Sequence, residues 1–185
     1  PSMLASGKQS NSFYEELWSS VKGHNFWRGE LWNRRKNGEL YAELLSISVV
    51  RDEPGQVQHY IGIFSDITQL KVHEAELDRV AHYDPLTGVP NRRLLSDRLR
   101  QAIMRATRSG KSCAVCFLDL DGFKSVNDKY GHEVGDQLLV AVSGHLKSVL
   151  RGDDTLARLG GDEFVVLLSE VGSTEECMLV LDRIL

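Results

Sequence analysis

Between Thr155 and Leu168 the chain reads TLARLGGDEFVVLL, two apolar runs on either side of Gly160, Gly161, Asp162 and Glu163. Apolar, β-branched residues interrupted by a glycine pair predict an antiparallel hairpin, because glycine accepts the positive φ of a tight reversal. A hairpin alone is marginal in water, so further strands or covering helices have to complete it. It also places two acids on a turn. A second strand, CAVCFL from Cys113 to Leu118, runs into Asp119 and Asp121. If the two strands are sheet neighbours, four carboxylates gather at one rim. Two carboxylates roughly 4 Å apart repel by about 4 kcal/mol at an effective dielectric of 20. Either solvent spreads them, or hard divalent cations take oxygen ligands from them and from substrate phosphates.

The first third of the chain alternates in the manner of strands. WRGELWNRRKNGELYAELLSISVV and VQHYIGIFSDIT are broken by turn signals at Lys36-Asn37-Gly38 and Glu53-Pro54-Gly55, giving three antiparallel strands after a short helix at FYEELWSSV. Trp27 and Trp32 lie on these strands, as core residues or as the lining of a ligand pocket. From Ile67 the period changes: Ile67, Leu70, Leu77 and Ala81 recur at three-four spacing, with Glu74 in the same register. That is a heptad seam of under three heptads or an ordinary amphipathic linker helix. RRLLSDRLRQAIMRATRSG predicts a helix capped by Asn91 and stopped at Gly110, and VGDQLLVAVSGHLKSVL a second with its stripe at Leu138, Leu139, Val142, Leu146 and Val149. The polar stretch GFKSVNDKYGHE separates them, and STEECMLVLDRIL predicts a last helix. Mixed strands and helices in this order indicate an α/β layer fold.

Of 185 residues, 42% are hydrophobic and 26% charged, enough for one or two globular domains. The net charge of -4 provides no basic field to hold a nucleic-acid backbone. No apolar run approaches the roughly 20 residues of a membrane span, and the first residues lack a signal peptide's apolar stretch. Membrane attachment is therefore expected only through segments absent from this chain. Three cysteines suit a reducing, cytoplasmic setting. Cys113 and Cys116 sit three apart on a strand, so they point to opposite faces and do not share a metal. An EF-hand reading of DLDGFKSVNDKYGHE fails, because Lys124 stands where that loop requires glycine. His132, at a helix start, is expected to cap or pack.

Four stretches, DPLTGVPNRR, FLDLDGFKSVND, GHEVGD and RLGGDEF, occur in this order. Together, from about Tyr83 to Leu185, they resemble the GGDEF domain of the diguanylate cyclase family. The first section, ending in Asp66-Ile67-Thr68, resembles the C-terminal half of a PAS sensor domain. The expected organisation is a PAS portion over 1–68, a helical linker over 69–83 and a GGDEF domain over 84–185. The latter stops before later strands and a helix with basic residues for the triphosphate, so low activity of this stretch alone is expected. The resemblance implies an α/β (α+β) fold, polymerase-palm-like, with a mostly antiparallel central sheet flanked by helices, joined through a signalling helix to an antiparallel PAS sheet.

The resemblance also implies a homodimer that joins two GTP into cyclic di-GMP and releases two pyrophosphates, with two Mg2+ or Mn2+ ions per active site. By it, Asp119, the Leu120 carbonyl and Asp162 bind metal, and Asp162 and Glu163 are catalytic. Gly160 and Gly161 let the triphosphate approach, and Lys124 and the amides near Gly122 and Phe123 contact phosphate. Asn127 and Asp136 match the family's base-reading positions. Guanine's Watson-Crick edge presents one acceptor and two donors, which a donating amide beside an accepting carboxylate complements. Adenine would leave the amide unpaired, at a cost of about 1–3 kcal/mol if buried. Arg151 and Asp154, the RxxD of RGDD, match a product-binding inhibitory site, with Arg183 in support. A second class of reading keeps the domain as a non-catalytic module that binds GTP or cyclic di-GMP for a partner domain, such as an EAL-type phosphodiesterase.

Overall fold

The computed structural model describes residues 4–184. The chain divides into two compact units, one up to Glu76 and one from Leu77.

The first unit opens with α1 (Asn11–His24), longer at both ends than FYEELWSSV suggests. The Ser10 side chain caps it by accepting from the Phe13 amide, and Asn25 stops it in the left-handed conformation at φ 60°. Strands β1 (Phe26–Arg34), β2 (Leu40–Arg51) and β3 (Val57–Asp66) follow as an antiparallel sheet in that order. Both predicted turns form: the Gly38 amide donates to the Arg35 carbonyl and the Gly55 amide to that of Asp52. Period-two alternation carries Leu45, Ile47 and Val49 of β2 to the face that packs Leu17 and Val21 of α1. Trp27 joins this core. Its ring occupies the space over Gly29, where a Cβ would come within 2.5 Å of it. Trp32 instead lies beneath the Lys8 ammonium, 4.1 Å from the ring centre.

At the end of β3 the Asp66 carboxylate accepts from the Thr68 hydroxyl at 2.6 Å and from its amide at 2.9 Å. These bonds, joined by one from Arg35, hold the Asp66 pKa down at about 2. Thr68 also receives the Ala42 amide, while the Ile67 amide donates to the Ala42 carbonyl. The Asp66-Ile67-Thr68 step thus ties the start of α2 (Thr68–His82) to β2.

The second unit contains α3 (Arg92–Ser109), β4 (Ser112–Leu118), α4 (Phe123–Tyr130), α5 (His132–Val149), β5 (Thr155–Gly160), β6 (Glu163–Val171) and α6 (Thr174–Ile184). Asn91 caps α3 through two amides and Gly110 ends it at φ 71°, as its sequence predicts. The sheet order is β4-β6-β5, antiparallel throughout. Central β6 is covered on both faces, which is why FVVLL is a continuous apolar run rather than an alternating one. Phe164, Val166 and Leu168 pack with Leu139 and Leu146 of α5 and Val180 and Ile184 of α6. On the other face the buried Ala102 of α3 lies near Leu167 and Thr155. One element was illegible in the sequence: GFKSVNDKYGHE is helical from Phe123 to Tyr130. Its few apolar residues, Phe123 and Val126, are too sparse to announce a period, and packing against α5 supplies what propensity does not.

Candidate functional site

The ladder between β4 and β6 ends with Leu118 opposite Phe164. From that last rung the chain continues into Asp119 on one strand and comes from Glu163 on the other, with Asp162 one step further out on the turn. Gly160 at φ 145° and Gly161 at φ 54° occupy backbone regions that a side chain would strain, so the glycine pair is what lets the hairpin reverse here. Asp162 is half-buried, while Asp119 and Glu163 are exposed. Among the described residues no three His, Cys, Asp or Glu side chains cluster closely enough to hold a metal ion on their own. Asp119, Asp162 and Glu163 stand at these strand ends, and the Leu120 carbonyl follows on the β4 side.

Beside this rim Gly122, at φ 77°, starts α4 with no side-chain cap, and the Phe123 amide donates to the Leu120 carbonyl at 3.1 Å. An uncapped helix start presents unsatisfied amides and the positive end of the helix dipole. Lys124, in the first turn, is exposed. Gly131 ends α4 and begins α5, which brings the two helices together. The result is a close approach of Asn127 to Gly135: a Cβ on the glycine would stand 1.9 Å from Asn127 Oδ1. Oδ1 is buried and accepts no hydrogen bond. With the oxygen lodged against the glycine, the amide nitrogen is the outward end and makes no hydrogen bond to the described residues. Asp136, next along α5, is exposed.

Arg158 and its partner Asp84 were missed in the sequence. Arg158, on β5, donates to both carboxylate oxygens of Asp84, at 2.9 and 3.1 Å, and through Nε and Nη2 to the Gly161 carbonyl, at 2.9 and 2.7 Å. Both side chains of this ion pair are nearly buried. Arg158 therefore fastens the glycine turn to the DPLTG loop. Burial alone would raise the Asp84 pKa, but the Thr87 hydroxyl and amide, joined by Arg158, outweigh it and hold the carboxyl below its ordinary value. The signal was an arginine two residues ahead of GGDE in an apolar strand, with no partner visible in sequence.

Arg151 and Asp154 come together in the loop before β5, where the Asp154 carboxylate accepts the Arg151 amide at 3.2 Å and that of Ser169 at 3.2 Å. The Arg151 guanidinium donates to Glu176 at 2.8 Å, and Arg183 donates to the Val149 carbonyl at 2.8 Å. The Gly172 amide and then Arg151 hold Glu176 below its ordinary pKa. A cavity of about 650 Å³ opens here, and Arg105 and Lys111, absent from the sequence-derived set, also line it. His132 is exposed at the first position of α5 and neither caps nor packs, since Gly131 is the cap residue. Cys116 meets Cys177 of α6 rather than Cys113, and burial, followed by that neighbour, raises its thiol pKa. All three cysteines are free thiols.

Fold and rim define the second unit as an α/β sandwich whose acids sit where a glycine hairpin meets a neighbouring strand end. The chain belongs to the GGDEF family: the model described as diguanylate cyclase, GGDEF domain, matches residues 81–185, more than half of the length. A PAS domain model matches residues 2–69. Over 101 residues, 55% of this chain and 15% of the relative, it is 54% identical to the bifunctional diguanylate cyclase/cyclic di-GMP phosphodiesterase MucR of Pseudomonas aeruginosa. Over 117 residues, 63% of this chain and 27% of the relative, it is 40% identical to the diguanylate cyclase TpbB of the same species. The chain thus spans well under a third of either relative. Among solved structures, the GGDEF domain of TpbB superposes with a TM-score of 0.54 at 42% identity, covering 56% of this chain and 60% of that one. The coiled coil and GGDEF domain of DgcB from Caulobacter crescentus, in complex with c-di-GMP, does so with 0.57 at 30% identity, covering 64% and 61%.

Proposed function

We propose that this chain is the sensor-to-output segment of a diguanylate cyclase, which condenses two GTP into cyclic di-GMP and releases pyrophosphate. The observation that supports this reading is the β4–β6 register, which ends both strands at one rim; in this reading Asp119, the Leu120 carbonyl and Asp162 are the hard oxygen donors there. These donors suit Mg2+ or Mn2+, since Mg2+ is commonly held by one or two carboxylates together with substrate phosphates and waters. Such an ion, when bound, lowers the pKa of the attacking 3'-hydroxyl and neutralises charge on the α-phosphate.

The chain's own residues do the rest. The glycine turn admits the triphosphate to the backbone, and Lys124 and the uncapped start of α4 receive its negative charge. Asn127 presents its donor to the guanine oxygen, and Asp136 accepts from the N-H groups. Glu163 acts at the reacting centre beside Asp162. Each chain holds one GTP, so two copies must face each other, and the exposed seam of Leu70 and Leu77 on α2 supports such a homodimer. The PAS unit tunes that pairing. Product returns to Arg151 and Asp154, with Arg183 nearby, as an inhibitor. The setting is the cytoplasm, and no helix among the described residues is long and apolar enough to cross a membrane.

The test is incubation of the full-length protein with GTP and Mg2+ while pyrophosphate and cyclic di-GMP are followed. GTP is expected to turn over, ATP is not, and Asp162→Asn is expected to remove turnover by at least a hundredfold. GTP binding without pyrophosphate release would instead identify the regulatory module.

A further inference from the structure

The first unit contains a cavity of about 640 Å³ between α1 and the inner face of its sheet, a size typical of small-molecule sites. Leu17, Leu31 and Ile47 line it together with the rings of Tyr14, Trp18 and Phe64. An acid stands in this apolar wall. The alternation that turns Leu45 and Ile47 inward turns Glu43 inward as well, and Glu43 is only 4% exposed.

The hydrogen bonds of Glu43 are one-sided. The Asn33 Nδ2 donates to Oε2 at 3.1 Å and the Tyr41 hydroxyl to the same Oε2 at 2.9 Å. Burial, then the bond to Glu43, raises the Tyr41 pKa, so the phenol remains a donor. Nothing among the described residues donates to Oε1, and none of the ion pairs among them includes Glu43. Glu43 lines the cavity, and Oε1 is the end of its carboxylate that the bonds from Asn33 and Tyr41 leave over. The neighbouring cation is engaged elsewhere: Arg35 stacks on the Tyr41 ring at 4.5 Å and is ion-paired with Asp66 and Glu39. A carboxylate withdrawn from water without a cation is costly unless something completes it. Three aromatic rings around the same space add surfaces that attract cations.

We propose that this cavity binds a small organic ammonium compound, its charged head on Glu43 Oε1 and its apolar body among Leu17, Trp18 and Phe64. The site is independent of the nucleotide chemistry of the second unit. It is the place where a dissolved amine can act on the sensor portion.

The probe is 4-phenylbutylamine titrated calorimetrically into the full chain at neutral pH, with 4-phenylbutyrate as a control of matched size and opposite charge. One amine per chain is expected to bind, with the acid at least tenfold weaker. Glu43→Gln keeps an acceptor for Asn33 and Tyr41 but removes the charge, and is expected to weaken the amine at least tenfold. Gly62 also lines the cavity, and a Cβ there meets nothing closer than Leu45 Cδ1 at 3.9 Å. Gly62→Leu is therefore expected to fill the space and abolish binding while the far-UV circular dichroism is unchanged; it decides the matter alone if Glu43→Gln fails to fold. Equal binding of amine and acid, undiminished binding in the variants, or no amine binding at millimolar concentration overturns the proposal.

Discussion

A single missing side-chain atom sets the orientation of the proposed base reader. Asn127 can lodge its oxygen against α5 only because position 135 is glycine, where a Cβ would lie 1.9 Å from that oxygen. Gly135→Ala should improve helix propensity by about 1 kcal/mol, so the fold is expected to survive. The amide, however, must rotate or withdraw, and a misplaced hydrogen-bonding group costs about 1–3 kcal/mol. GTP affinity is expected to fall by about 10- to 100-fold. Calorimetric titration of GTP, with circular dichroism to confirm the fold, checks this; unchanged affinity would separate Gly135 from base reading. The glycine was visible in GHEVGD, but its contact was not, because it depends on how two helices meet at Gly131. The same limit applies to Arg158 and to the Cys116–Cys177 neighbours, each of which pairs residues far apart in the chain.

Among the elements, the hairpin of β5 and β6 and the loop at Asp84 act as one piece through Arg158. Asp84→Asn leaves the guanidinium nearly buried with the Gly161 carbonyl as its remaining strong acceptor, and is expected to cost about 1–3 kcal/mol. Because the folded Asp84 pKa lies below the unfolded value of about 3.9, its contribution is present above that value and is lost as pH falls through the folded one. The melting temperature gap between wild type and Asp84→Asn should thus be full at pH 6 and narrow progressively as pH falls below about 4, as scanning calorimetry can measure. A gap independent of pH would mean that the pair contributes packing alone. The inhibitory-site candidate shows a different balance. Arg151 and Glu176 are an exposed pair, screened by solvent and weak, so a ligand that needs the guanidinium can open it at small cost.

On the scale of the molecule, the chain passes from one unit to the other within α2, a helix none of whose residues is buried. With Leu70 and Leu77 exposed by 53% and 70%, its seam has an apolar face to cover, and under three heptads give a weak association by themselves. On the proposed reading, specific turnover should therefore rise with protein concentration as dimers form, and Leu77→Lys should lower it at a given concentration. Sedimentation alongside the rate measurement tests this, and turnover per chain that is constant across the monomer–dimer transition would contradict it. Much of this organisation is determined by local sequence. The turns at Gly38 and Gly55, the caps at Asn91 and Gly110, and the GGDE hairpin each follow from backbone preferences within a few residues, and the ordered motifs placed the chain in its family. Tertiary structure alone decided the rest: the helix at Phe123–Tyr130, the seat of Asn127 on Gly135, the Arg158–Asp84 tie and the acid in the Glu43 cavity. These depend on packing between segments distant in the chain, and a contact of that kind leaves no period or spacing in the sequence.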